Sequence, residues 1–193
     1  MGITLHYSGE LKKDADLQAL KDEIRDIAET YQWKYTCFPI KNPNKNEMRD
    51  PVNGICFSPP DSEPVWLTFS PDRKICNPLL LADGLSEGTD IVIPFEAYGC
   101  FTKTQFAGAE VHKLLVHLLK YISNKYFETF NMLDEGYYWE TGDEELLKKT
   151  FALYSQFIDM IGDAIAGFPK KEDEDYEGYF TRLLEFLDKK RSP

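Results

Sequence analysis

The residues of this chain that could do chemistry gather around one stretch, Cys100 to Glu140. Lys103, Thr104 and Gln105 stand before a long apolar-striped segment, Glu110 and His112 fall in its first turn, and Asp134, Glu135 and Glu140 follow it. If the segment after the stripe folds back beside the Lys103 to Phe106 strand, then Lys103, Gln105, His112, Asp134 and Glu135 line one cleft. Such a cleft suits metal-assisted hydrolysis or the binding of a small molecule, because about three converging N or O ligands with one open position activate water. His112, Glu110 and Asp134 are the residue types required. Glu110 and His112, however, lie two apart and diverge by about 200° on a helix, so both cannot face one ion and no metal site is expected. Glu110 is better placed as a first-turn acid favoured by the helix dipole.

Other reactive patterns are missing. His112 and His117 are five apart and turned about 140° from each other, which is not the i, i+4 pair of a zinc helix. With three histidines in the chain, a histidine-based triad has little material. No serine has a nucleophile-elbow context, no glycine-rich phosphate loop is present, and Gly84 to Gly88 reads as a turn. The four cysteines, Cys37, Cys56, Cys76 and Cys100, form no C-x-x-C pair. They read as buried reduced thiols beside strands, which fits the cytoplasm. No cofactor is expected.

A second candidate is Asp134 to Glu145, where Tyr137, Tyr138 and Trp139 stand together between acids. Either Tyr137 and Trp139 enter the core while Tyr138 covers an edge, or an exposed aromatic anchor is ringed by carboxylates, as where an acidic protein grips a basic one. Tyr138 and Glu140 are the candidate partner surface.

Composition bears on the choice. The net charge is −11, from 22 basic and 33 acidic residues, a field that repels a phosphate backbone or an anionic membrane and tolerates a basic protein. Apolar residues at 42% and aromatics at 14% supply enough burial to offset the entropy of folding. The N-terminus has neither the basic start nor the apolar run of a secretory signal, and no stretch is long and apolar enough to span a bilayer.

The elements that must position these groups follow from periodicity. Ile3, Leu5 and Tyr7 alternate with Thr4, His6 and Ser8, predicting a half-buried strand with His6 on its wetter face. Asp14 or Asp16 can cap a helix with an apolar seam of Leu17, Leu20, Ile24, Ile27 and Tyr31. A strand from Trp33, a loop over 41–54, and a hairpin of GICFSPP and PVWLTFS come next, then extended chain over 90–106. Val111, Leu115, Leu118, Ile122 and Tyr126, widened by Leu114 and Leu119, define the central helix. Leu147, Phe151, Tyr154, Ile158, Ile161 and Ile165 define another, stopped near Gly167 and Pro169. Tyr176, Phe180, Leu183 and Leu187 mark a last short one.

The order β-α-β-β-β-β-α-β-α-α, with adjacent strands in its middle, predicts an α+β fold with a mainly antiparallel sheet and amphipathic helices packed on it. One domain over 1–193 is expected, with 169–193 an acidic linker and a terminal helix packing back. The expected function is non-enzymatic binding or regulation of a basic protein partner, without nucleic acid or membrane. The alternative is the hydrolase or small-molecule-binding enzyme of the cleft described above.

Overall fold

The computed structural model of the protein describes residues 2–39, 52–81, 98–168, 171 and 174–191. Most of the loop expected over 41–54, residues 90–97 of the extended chain expected over 90–106, and the turn expected over 84–88 lie outside them. The fold is α+β, with two antiparallel sheets. Residues 1–151 and 152–193 form two compact units, described one at a time.

The first unit is organised on strand β1 (Thr4–Leu11). It lies between β5 (Cys100–Lys103) and β6 (Phe127–Asp134), antiparallel to both. The segment after the central helix therefore joins the sheet beside β1 and not beside the strand that precedes the helix, as the sequence had suggested. β1 carries the apolar alternation on which both neighbours can close. Ile3 and Leu5 have no exposed surface, Tyr7 is 3% exposed, and His6 faces out.

The second sheet is a meander of β2 (Lys34–Phe38), β3 (Asn53–Ser58) and β4 (Val65–Phe69). β3 and β4 form the expected hairpin, pairing Ile55 with Leu67 and Cys56 with Trp66. Residues 74–76 tie the two sheets together. Ile75 N–H donates to Gly9 O at 2.9 Å, and Cys76 N–H donates to Thr68 O at 2.9 Å.

Helix α1 (Leu17–Thr30) starts at Asp16, whose Oδ1 accepts the N–H of Gln18 at 2.8 Å and of Ala19 at 3.0 Å, meeting two of the first-turn donors. It buries Leu20, Ile24 and Ala28. Tyr31, expected in the seam, is exposed and stacks on Trp33 at 5.0 Å. A four-residue helix, α2 (Pro78–Leu81), precedes β5.

The central helix α3 (Gly108–Tyr126) buries Leu115, Val116, Leu118, Leu119, Ile122 and Tyr126. Each such side chain contributes about 1.5–3 kcal/mol relative to exposure. α1 and α3 are joined at Glu23. Its carboxylate accepts Tyr126 Oη at 2.6 Å and Lys125 Nζ at 2.9 Å, and also the Tyr121 hydroxyl. Partial burial pushes this carboxyl up, and the two hydroxyls and the ammonium more than reverse that, so it settles below the usual range. The site is partly solvated, so replacing Glu23 with alanine should cost only about 1 kcal/mol. Urea unfolding at neutral pH checks this.

α4 (Tyr138–Thr141) and the start of α5 (Glu144–Ala166) complete the unit. Asp143 Oδ1 accepts Glu145 N at 2.9 Å and Leu146 N at 3.0 Å, which fixes where α5 begins, and Leu147 and Phe151 are buried.

The second unit holds the remainder of α5 and α6 (Tyr176–Arg191). Phe168 stacks on Phe186 at 4.8 Å, and the Arg182 guanidinium lies 4.1 Å from the Phe168 ring centre. Arg182 Nε also donates to Glu174 Oε1 at 2.7 Å, and this guanidinium pulls the Glu174 carboxyl down to about 2.

Candidate functional site

The strand period of two distributes the candidate residues over opposite faces of the β5-β1-β6 sheet. Thr104 follows Lys103, and Glu135 follows Asp134, so the members of each pair point to opposite sides. The five residues expected in one cleft are therefore divided. His112 and Asp134 meet beneath the sheet, while Lys103 and Glu135 line its outer face.

Beneath the sheet, His112 and Asp134 are buried with 0% and 1% of their surface exposed. Thr104 Oγ1 is 2.7 Å from His112 Nδ1, and His112 Nε2 is 3.0 Å from Asp134 Oδ1, somewhat off the line of an ideal N–H···O bond. Asp134 also accepts Gly136 N–H at 2.6 Å and Trp139 N–H at 2.8 Å. Burial pushes the Asp134 carboxyl up, and His112 with these two amides overcomes it, leaving the group below the ordinary carboxylate range.

An ionised carboxylate facing Nε2 requires a proton there. Two arrangements satisfy this: a neutral imidazole whose Nδ1 accepts from Thr104, or an imidazolium with the Thr104 hydroxyl donating to Ile3 O at 3.3 Å. The edge of Phe151 closes the site at 5.5 Å between ring centres. With His112 sealed from solvent, this trio joins α3, β6 and the chain before α4, holding them together.

His112, expected to line an open cleft, is wholly enclosed. Glu110 instead turns outward to Lys113, 2.9 Å away. Gln105 packs against Gly2, where an added Cβ would strike its side-chain oxygen. Among the described residues, no group of three His, Cys, Asp or Glu side chains is placed to hold a metal ion.

The outer face of the sheet is open. His6 pairs with Phe101 on one side and Leu133 on the other, so these three side chains form a row across β5, β1 and β6. Phe101 is 51% and Leu133 63% exposed, and the His6 ring lies 6.3 Å from that of Phe101. Beside the row is a shallow depression of about 290 Å³ that includes Lys103, Glu63 and Glu135. Glu135 Oε1 is 3.8 Å from His6 Nε2, and Glu63 Oε2 accepts Lys103 N–H at 3.0 Å. A second depression of about 440 Å³ shares His6 and Phe101 and extends past Leu133 and Asn131 to Tyr98. Phe101, Leu133 and Glu63 escaped sequence reasoning. Alternation in Cys100 to Lys103 alone would have faced Phe101 away from the core.

The aromatic cluster also differs from its expected form. Tyr137 adopts a left-handed backbone, φ 62°, and the next four residues form the short helix α4 where extended chain was expected. Tyr138, a candidate for the partner surface, is buried at 5%, with its hydroxyl 3.1 Å from His117 Nε2. Tyr137 is the exposed one, at 56%. Trp139 lies against Phe130 at 5.7 Å, with Lys120 Nζ 5.2 Å from its ring centre. Glu140, the other candidate for that surface, is exposed on α4.

The four cysteines are free thiols. Burial pushes Cys56 and Cys76 up to about 12, which leaves them protonated and unreactive at neutral pH.

This is an α+β protein with an open sheet face, and no described helix is long and apolar enough to cross a membrane. No protein family, curated protein or solved structure matches the chain.

Proposed function

We propose that the protein is a non-enzymatic, cytoplasmic binding module that engages a basic protein partner, with the outer face of the β5-β1-β6 sheet as its contact surface. The observation that carries this reading is the exposed row Phe101, His6 and Leu133, flanked by Glu135 and Glu63. Large apolar side chains held rigidly on a sheet and rimmed by polar groups are the usual anchors of protein interfaces. The net charge of −11 favours a basic partner and speeds its approach.

The test compares the immobilised chain with a Phe101→Ser/Leu133→Ser double variant. The wild type is expected to retain a basic protein that salt displaces. The variant should unfold at the same temperature and bind that protein at least about tenfold more weakly, a loss of about 1.4 kcal/mol or more. Equal binding by the variant would defeat this reading. So would turnover of a small molecule by a chain that retains no protein partner.

A further inference from the structure

Four strands end the two described sheets. β5 and β4 meet other described chain on their outer sides, through Glu63 N–H to Lys103 O and the Phe69–Ile75 bridge, and β2 and β6 differ in how they are protected. β2 is five residues long, opens on Lys34 and is followed by Pro39, so a charge and a proline guard its edge. β6 is eight residues long and contains no lysine, arginine or proline. One side of it pairs with β1.

The register identifies which groups its other side offers. Glu135 N–H donates to Thr4 O at 3.1 Å, and Thr104 N–H donates to Ile3 O at 2.9 Å. Antiparallel bonding alternates along a strand, so the odd-numbered residues of β6 bond to β1 while Phe130 and Met132 direct N–H and C=O away from it. No described residue hydrogen-bonds to those groups. This stretch has defined ends. Glu128 is the bulge where the register shifts, and the Asp134 carbonyl accepts Tyr137 N–H at 3.0 Å.

We propose that an extended basic segment of a partner protein adds to the sheet as an antiparallel strand on the outer edge of β6, pairing with the backbone of Phe130 and Met132. This deepens the binding-module reading and rests on it. Strand addition takes its affinity from backbone hydrogen bonds and its selectivity from alternate side chains. Here the side chains on one face of the added strand would continue the Phe101–His6–Leu133 row, since Leu133 stands on β6 itself. The charges near the edge select the occupant. Glu128 is exposed and Glu135 lies just past the strand, whereas Lys120 is drawn over the Trp139 ring. A second copy on the same edge would bring together two chains of charge −11; a basic segment removes that repulsion.

The experiment follows amide hydrogen exchange by NMR in the full-length chain, with a short alternating Lys-Val peptide as probe. In the free protein the Phe130 and Met132 amides should exchange quickly, and those of Asn131 and Leu133, bonded to β1, slowly. Saturating peptide should slow the first pair at least about tenfold and leave the second unchanged. The same peptide N-methylated at alternate residues keeps its charge and should give no protection.

Equal protection by the N-methylated peptide overturns the inference, as does protection that grows with protein concentration without peptide, which would assign the edge to a second copy. If the peptide binds but shifts only resonances around His6 and Phe101, the binding module stands and strand addition falls. If neither peptide binds at low salt, both readings fall.

Discussion

Replacing Asp134 with alanine is expected to destabilise the protein by about 3–5 kcal/mol, because it strands several buried donors at roughly 1–3 kcal/mol each. The side chain meets His112 Nε2 and the amides of Gly136 and Trp139, all in a site closed to water. Its loss leaves two backbone donors and a ring N–H without an acceptor, each costing more than the net gain of an ordinary hydrogen bond. Urea unfolding at neutral pH should show the midpoint falling with an unchanged slope, which separates lost stability from altered compactness. Exchanging His112 and Asp134 together for leucine should cost less than the sum of the single changes, because the pair is coupled. A loss below about 1 kcal/mol for Asp134→Ala would mean that the trio is not the brace it is taken to be.

The same carboxyl sets a pH dependence. Its folded value lies below the ordinary one, so in acid the unfolded chain binds the proton more readily than the folded chain. The stabilisation is therefore complete above the unfolded value of about 4 and disappears as pH falls through the lower folded value. Below that, the stability difference between wild type and Asp134→Asn should narrow. A difference that widens on acidification would show the sign to be wrong.

The second large effect is expected at Gly54. This residue sits inside β3, paired with Phe38 on one side and Thr68 on the other, with φ 148°. An added Cβ would collide with the Leu67 carbonyl oxygen and stand 2.8 Å from Thr68 Cα. Both obstacles are backbone, and both belong to the strand whose hydrogen bonds hold the meander. The clash cannot be relieved by turning a side chain, so Gly54→Ala should cost about 3 kcal/mol or more. Gly142 makes a control, because it too has a positive φ, 66°, but nothing lies within 4 Å of its added Cβ. Alanine there should cost about 1 kcal/mol. Thermal unfolding of the two variants, compared at matched pH, tests the contrast. Equal losses would assign the effect to backbone conformation alone.

Periodicity exposed the parts of the fold that depend on near neighbours. The alternation of Ile3, Leu5 and Tyr7 gave the buried face of β1, and the three-and-four spacing from Leu115 to Tyr126 gave the buried stripe of α3. Asp16 was legible as a cap because its bonds reach only two and three residues along the chain. The proline-flanked hairpin of β3 and β4 was legible for the same reason of proximity.

Of the candidate residues, the sequence pointed to some by type, but it missed Phe101, Leu133 and Glu63 and did not show the layout. His112 and Asp134 were named together from residue type and position, and Lys103 and Glu135 were assigned to the same cleft. Which side of a sheet a residue takes depends on the strand's register, and that depends on which strand it pairs with. Here β6 chose β1, so neighbouring residues went to opposite faces, with one set sealed and the other open. Tyr138 was misjudged for a similar reason. A left-handed turn at Tyr137 begins a helix that directs its ring to His117, twenty-one residues back along the chain. By itself the sequence determined the class of fold, the buried stripe of α3 and the acidic charge, because these follow from local spacing and composition; Tyr31, Ile165, Tyr176 and Phe180, expected in the stripes of other helices, are exposed. Strand order, the enclosure of His112 and the open row on the sheet were decided by tertiary structure, because each depends on contacts between residues far apart in the chain.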